Sequence, residues 1–174
     1  MDPRRRSFLR GALREATAAA PPPAPPRPPW ALTPDARFTE RCTRCGDCSR
    51  ACPVQLIHPG DGGFPRIDFQ ARGCDECGAC SRACPTGAIA PAGSVPAFVW
   101  RVEVDRQRCL GERQVECRIC AEACDTGALR CVPALGGISR LRLDTEACTG
   151  CGACVAPCPV QALSMVAPAA APDR

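Results

Sequence analysis

Apolar residues occur in short runs on either side of four cysteine-rich loops. The runs before a loop span residues 64–69, 97–104 and 138–143, and those after a loop span 54–57, 88–90, 129–132 and 162–166. Apolar and polar residues alternate along these runs, most clearly in 99–104, which predicts short β-strands. Glycine- and proline-rich turns separate the runs. The run before Cys42 is the weakest and hardly predicts a strand.

The loops recur with a regular period. Their first cysteines, Cys42, Cys74, Cys109 and Cys148, lie 32, 35 and 39 residues apart. Such self-similarity indicates a repeated unit of strand, loop, small helix and strand. We expect the last cysteine of each loop to open or lie in the small helix. We also expect positive φ at Gly46, Gly78 and Gly152, which each follow a cysteine where the backbone must turn tightly.

The cysteine spacing itself predicts the chemistry. Residues 42–53 read C-x2-C-x2-C-x3-C-P, a signature of cysteine-bound 4Fe–4S clusters. The pattern recurs in loops two and four, while loop three has C-x7-C and Asp125 in place of the proline. Four clusters are therefore predicted. Their predicted ligands are Cys42, Cys45, Cys48, Cys52, Cys74, Cys77, Cys80, Cys84, Cys109, Cys117, Cys120, Cys124, Cys148, Cys151, Cys154 and Cys158.

Other uses of the 17 cysteines fit less well. A disulfide framework rarely repeats C-x2-C-x2-C, and zinc sites usually divide into two separate C-x2-C knuckles. The longer gap in loop three also allows a lost cluster with leftover thiols. Cys131, the seventeenth cysteine, is predicted to be a small buried apolar residue, with a redox or spare-ligand role as the alternative.

Cluster pairing stays open between two arrangements. In two-cluster ferredoxins the fourth cysteine of one motif binds the other cluster. Sequential pairing joins loop one to loop two and loop three to loop four. Nested pairing joins loop one to loop four and loop two to loop three. The position of Cys84, beside Cys42 or beside Cys109, distinguishes them.

Composition predicts a small cofactor-dependent fold. Only 4% of residues are aromatic and tyrosine is absent, so a conventional apolar core would be thin. We predict an α+β fold with two bacterial-ferredoxin-like modules, small antiparallel β-ribbons and short helices. The predicted divisions are a basic segment and proline-rich linker (1–34), modules at 35–95 and 96–168, and a tail (169–174). No run is long enough to span a membrane.

Charge is concentrated at the N-terminus. Residues 1–30 carry six Arg against Asp2 and Glu15, a net charge of +4, whereas the remaining residues balance. Because no basic patch lies elsewhere, nucleic-acid binding is poorly supported. Residues 5–10 resemble a twin-arginine export signal, but no uninterrupted apolar region follows. We therefore expect an uncleaved basic segment with a short helix over 7–18, and keep export as the alternative.

Two isolated residues receive structural interpretations. Trp30 ends the proline-rich linker, and we expect it to dock on the next domain rather than on a partner. His58, the only histidine, lies in a Pro/Gly turn and is expected at the surface rather than at a metal.

Several stretches resemble one family. The Arg27-Pro-Pro-Trp30 motif, residues 38–45 and 62–69, and the C-x7-C stretch around Cys117 are similar to the NapF family of ferredoxin-type proteins. The resemblance implies a cytoplasmic protein with four 4Fe–4S clusters. It also implies contact with the catalytic molybdenum subunit of periplasmic nitrate reductase before export, in support of that subunit's maturation or iron–sulfur loading.

The sequence leaves a second function class open. The alternative is an electron-transfer polyferredoxin that passes electrons from a quinol or another donor to a molybdoenzyme. An enzyme is the weakest interpretation, because no Rossmann or P-loop signature and no open metal site is evident. The expectation is therefore an accessory protein that is not an enzyme.

Overall fold

The computed structural model describes residues 25–134 and 136–167 as short elements joined by ordered loops. The helices are α1 (Asp35–Arg41), α2 (Asp47–Ala51), α3 (Ala79–Arg82) and α4 (Ile119–Glu122). The strands are β1 (Ile57–Pro59), β2 (Pro65–Ile67), β3 (Arg101–Val104), β4 (Leu129–Pro133), β5 (Ser139–Leu143) and β6 (Leu163–Val166). These few helices and small sheets confirm the α+β expectation at that level. The predicted N-terminal helix and export-like motif, and the tail at 169–174, lie outside the described residues.

Each sheet is a two-stranded antiparallel ribbon. The pairs are β1 with β2, β3 with β6 and β4 with β5. In the second half of the chain (residues 96–167), the outer strands β3 and β6 pair, and the inner strands β4 and β5 pair. The first half (residues 25–95) has the same arrangement. Its inner strands β1 and β2 pair, and an isolated bridge joins the outer residues Ala31 and Ile89. Strands therefore pair within each half.

Two predicted strands differ from the structure. The run at 54–57 forms a strand only from Ile57 onward, because Gln55 has a φ of 51° that interrupts extended backbone. The run at 88–90 forms one bridge, at Ile89, and no longer ribbon. The other alternating runs contain β2, β3, β4, β5 and β6, although several of these strands are shorter than predicted.

The small helices hold the third cysteine of a loop, and the expectation for the last cysteine was wrong. Cys48 lies within α2 and Cys80 within α3, whereas the fourth cysteine of loop one, Cys52, is extended. Gly46 and Gly78 precede these helices with φ of 77° and 72°, as predicted. Their left-handed conformation turns the chain from the loop into the helix.

Helix α1 was not predicted. Its only buried residue is Phe38, so the sequence lacks an apolar stripe. Asp35 in its first turn and Arg41 in its last turn complement the helix dipole. Packing of Phe38, with none of its surface exposed, stabilises the helix.

The core is small and begins at the linker. Trp30 is 5% exposed. Its backbone N–H donates to the carbonyl of Ala97, and its carbonyl accepts from the backbone N–H of Ala90. The expectation that Trp30 docks on the folded part of the chain is confirmed. His58 is exposed, as expected, although it lies in β1 and not in a turn. Among the described residues, no helix is long and apolar enough to cross a membrane.

Candidate iron–sulfur centres

The first half of the chain forms two cavities lined by cysteines. Site 1 is lined by Cys42, Cys45 and Cys48 of loop one and by Cys84, the last cysteine of loop two. Phe38 and Ile89 close its apolar side. Cys84 therefore lies with loop one, which is the arrangement that sequential pairing requires.

Site 2 has the reciprocal composition. Its cavity is lined by Cys74, Cys77 and Cys80 of loop two and by Cys52, the last cysteine of loop one. Trp30, Leu56 and Ile67 are among the apolar residues around it, so the linker contributes to this site.

The second half repeats this exchange at one cavity. Site 4 is lined by Cys148, Cys151 and Cys154 of loop four and by Cys124, the last cysteine of loop three. In all three cavities the fourth thiol comes from the neighbouring loop of the same half.

Site 3 is the group formed by Cys109, Cys117 and Cys120. Burial raises the pKa of Cys120, and the charges of Cys131, Cys109 and Cys117 raise it further. Sequential pairing assigns Cys158 as the fourth member. The pairing of β3 with β6 brings the chain after loop four beside the chain before loop three. The thiol of Cys158 accepts a hydrogen bond from the N–H of Ala162 at 3.2 Å, as Cys52 does from Leu56 at 3.4 Å.

Loops one, two and four share two positions with left-handed backbone conformation. The residue before the second cysteine has positive φ in each: Arg44 at 60°, Glu76 at 52° and Gly150 at 82°. The glycine after that cysteine is also left-handed, including Gly152 at 75°. Two such turns bend each loop around its cavity, and only the glycine position was anticipated. Arg44 and Glu76 carried no signal, since neither residue type favours positive φ.

Comparison with known proteins places the chain in a family. The family model of the 4Fe-4S dicluster domain matches residues 41–88 and again residues 113–162. A ferredoxin-type protein NapF from Haemophilus influenzae is 39% identical, over 80% of this chain and 77% of its own length. The NapF protein of Escherichia coli K12 is 35% identical, over 94% of both chains. The chain belongs to the NapF family of ferredoxin-type proteins. The recognition made from the sequence is thereby confirmed.

A weaker relative has a different name. A ferredoxin-type protein NapG from Haemophilus influenzae is 34% identical, over 33% of this chain and 26% of its own length.

The first dicluster match contains every cysteine of loops one and two, whereas the second begins after Cys109. The seven-residue gap that follows Cys109 therefore separates loop three from the common pattern of the dicluster domain.

The donor set at these sites fits 4Fe–4S clusters, as the dicluster domain implies. Four cysteine thiols line each of the three cavities. Within residues 25–134 and 136–167, no group of three or more His, Cys, Asp or Glu side chains is placed to hold a single metal ion. Thiolate sulfur is the usual protein ligand of iron–sulfur clusters.

Burial raises the pKa of five of the predicted ligand thiols. Burial is the largest influence, and nearby thiols add to it by disfavouring a further negative charge. The pKa values are raised to about 11 for Cys48 and Cys80, and to about 12 for Cys74, Cys120 and Cys154. Iron binding requires thiolates, so uptake of iron must displace these protons.

The last cysteines of loops two and three behave differently. Partial burial acts to raise the pKa of Cys84, but hydrogen bonds from the backbone of Ile89 and from Thr86 outweigh it and lower the pKa. At Cys124 partial burial is likewise outweighed by hydrogen bonds from Thr126 and the backbone of Leu129. These donors stabilise a thiolate at the edge of the site.

Loop three is held by a polar anchor. One carboxylate oxygen of Glu116 accepts from Arg118 Nε at 2.7 Å, and the other accepts from the N–H of Ser139 at 3.1 Å. Arg118 also donates to the hydroxyl of Ser139, a buried residue in β5. The longer loop is thereby attached to the inner ribbon of its half. Sequence reasoning missed this anchor, because Glu116 and Ser139 are 23 residues apart and form no motif.

Cys131 lies beside site 3. Its thiol donates to the carbonyl of Cys117 at 3.7 Å, and its charge raises the pKa of Cys120. Cys131 is partly exposed rather than fully buried. The expectation of a buried apolar residue therefore holds only in part, and the position of Cys131 beside predicted ligands is also compatible with the alternative of a redox or spare-ligand role.

Proposed function

We propose that the sixteen loop cysteines hold four 4Fe–4S clusters in two ferredoxin-like units, at 35–95 and 96–168. Sites 1, 2 and 4 would each use the four cysteines that line their cavities, and site 3 would use Cys109, Cys117, Cys120 and Cys158. Each cluster, when bound, supplies one-electron chemistry. The chain's own residues supply the thiolates, exclude water with the small apolar core and fix the spacing of the sites.

We propose further that the protein is an accessory factor, not an enzyme, for the catalytic molybdenum subunit of periplasmic nitrate reductase. It would bind the cytoplasmic precursor of that subunit and support its maturation or iron–sulfur loading. Membership of the NapF family over nearly the whole chain carries this proposal. A cytoplasmic location follows from the proposed partner, which is met before export.

The N-terminal arginines provide the recruiting segment in this proposal. Arg4, Arg5, Arg6 and Arg10 lie in residues 1–20, whose net charge is +3, ahead of seven prolines in residues 21–29. A basic segment on a stiff proline-rich spacer attracts acidic surfaces in a salt-dependent manner. These four residues lie outside the described structure, so the argument rests on sequence alone.

Capture of the catalytic subunit tests the function. Full-length tagged protein, prepared anaerobically, is expected to retain the catalytic subunit that still carries its export signal. Replacement of the four arginines by glutamine should weaken this capture, most strongly at low salt, while iron content stays full. Capture that is unchanged by the substitutions would remove the segment from the mechanism, and no capture by the loaded wild type would contradict the proposed partner.

A reporter fusion tests the location separately. Residues 1–30 fused to a reporter should leave the reporter in the cytoplasm. Export of the fusion would overturn the cytoplasmic proposal and favour the alternative, a polyferredoxin that passes electrons from a quinol or another donor to a molybdoenzyme.

A further inference from the structure

The two halves of the chain meet through loops two and four. The N–H of Cys74, in loop two, donates to the carbonyl oxygen of Cys151, in loop four, at 2.8 Å. Cys74 lines site 2 and Cys151 lines site 4. One hydrogen bond therefore connects residues of two sites that belong to different halves.

Close packing fixes this junction on both sides of the hydrogen bond. A Cβ at Gly73 would lie 2.4 Å from the Cα of Ala153. A Cβ at Gly152 would lie 2.0 Å from the ring of Phe69. Only glycine lets the backbone at these two positions approach Ala153 and the Phe69 ring so closely. The ring of Phe69 also packs edge-on against Phe98, with centroids 5.8 Å apart, which ties the halves together beside the two sites.

Within each half, the two sites are also neighbours. Helices α2 and α3, which carry Cys48 of site 1 and Cys80 of site 2, pack against each other. In the second half, helix α4 carries Cys120 of site 3, and Cys124 of the same loop lines site 4. Site 1 therefore adjoins site 2, and site 3 adjoins site 4.

We propose that the hydrogen-bonded junction of Cys74 and Cys151 makes the four sites one continuous electron path in the spatial order 1–2–4–3. This inference rests on the proposed occupancy of the sites by 4Fe–4S clusters. Loops two and four form the internal step, and loops one and three lie at the two ends. The order of the sites in space thus differs from the order of the loops in the sequence.

The path through bonds across the junction is short and includes one hydrogen bond. It runs from the thiol of Cys74 through its backbone N–H, across the hydrogen bond, and through the carbonyl of Cys151 to that residue's thiol. With clusters bound, one electron would pass at a time, from a reduced flavin or iron–sulfur donor protein to an oxidised iron–sulfur acceptor protein. No bond in the chain forms or breaks, and no proton moves. The path connects partners bound near site 1 and near site 3.

Magnetic coupling between reduced clusters tests the order. Cys45→Ala with Cys117→Ala removes a ligand from site 1 and from site 3, and leaves sites 2 and 4 intact. Cys77→Ala with Cys151→Ala leaves sites 1 and 3. Both proteins are purified anaerobically, analysed for iron and sulfide, reduced with dithionite and measured by low-temperature electron paramagnetic resonance. The first pair should show spin–spin splitting, and the second pair should show the sum of two unsplit signals.

Two results would overturn the proposal: unsplit signals from sites 2 and 4, or equal splitting in both proteins. Iron analysis separates this failure from failure of the proposed function. Wild-type protein that lacks clusters would contradict the proposed cofactors, whereas loaded protein without the predicted splitting would contradict the order alone.

A steric variant provides a second test in the chain with all its cysteines. Gly73→Ala places a methyl group against the backbone of Ala153, at a residue whose φ lies outside the left-handed region. It should reduce splitting relative to wild type. Gly111→Ala is the matched control, because its Cβ would meet no atom closer than 3.6 Å, and its φ is also ordinary. A fully loaded Gly73→Ala protein with the wild-type spectrum would contradict the junction's role.

Discussion

Arg27 Nε lies 2.6 Å from Asp35 Oδ1, and this ion pair fastens the end of the proline-rich linker to helix α1. The guanidinium also lies 5.1 Å from the ring centroid of Phe38 and 5.5 Å from that of Phe64. The side chains of Arg27 and Asp35 are 15% and 32% exposed, so the pair is partly shielded from water. The arginine of the Arg-Pro-Pro-Trp motif therefore has a structural role next to site 1.

Arg27→Ala should destabilise the first half of the protein. It removes two part-buried hydrogen bonds to the Asp35 carboxylate, one to the carbonyl of Pro65 and two cation–π contacts, which together are worth about 2–4 kcal/mol. Arg37→Ala is the control, since its side chain makes one exposed contact with the carbonyl of Thr33. The loaded proteins are unfolded in guanidinium chloride, and the rate at which their visible absorbance is lost measures the effect. Equal rates for both variants would contradict the role of Arg27.

A pair of glycines with the same φ isolates the steric demand of loop four. Gly150 has φ of 82° and a Cβ there would lie 2.3 Å from the carbonyl oxygen of Trp100. Gly93 has φ of 83° and open space around it. Gly93→Ala should cost only the left-handed conformation, about 1–2 kcal/mol. Gly150→Ala should in addition lower iron content by about four atoms, the content of one cubane. Full iron content in the Gly150→Ala protein would contradict the crowding.

The ribbons could be predicted from sequence, but their partners could not. Alternation in 99–104 predicted β3 correctly, because one face of an antiparallel ribbon packs on the core. The cysteine spacings allow either sequential or nested pairing, so the position of Cys84 at site 1 required the structure. Helix α1 has no apolar stripe in the sequence, and the positive φ of Arg44 and Glu76 had no sequence signal. Both are imposed by packing and by the tight loops.

Double substitutions test which thiols share a site. Cys48→Ala and Cys84→Ala should each remove about four iron atoms, and so should the double variant, because both thiols serve site 1. Cys52→Ala with Cys84→Ala should remove about eight, because those thiols serve different sites. Iron analysis of the anaerobic proteins gives the answer. A loss of about eight from the Cys48 and Cys84 double variant would contradict sequential pairing.

Cys131 provides a contrast with a predicted ligand. Cys77→Ser should remove one cluster and destabilise the first half, because few apolar contacts remain to hold it. Cys131→Ser should leave iron content unchanged, since Cys131 lies beside site 3 without belonging to its proposed ligands. Iron and sulfide analysis compares the two variants. Loss of iron from the Cys131→Ser protein would identify Cys131 as a ligand.

Metal analysis of the anaerobically purified wild-type protein tests the central claim most directly. Four occupied sites predict about sixteen iron and sixteen sulfide per chain. Zinc as the main metal would contradict the iron–sulfur account. Iron near twelve, with Cys109 and Cys117 open to alkylation in the folded protein, would contradict the cluster at site 3.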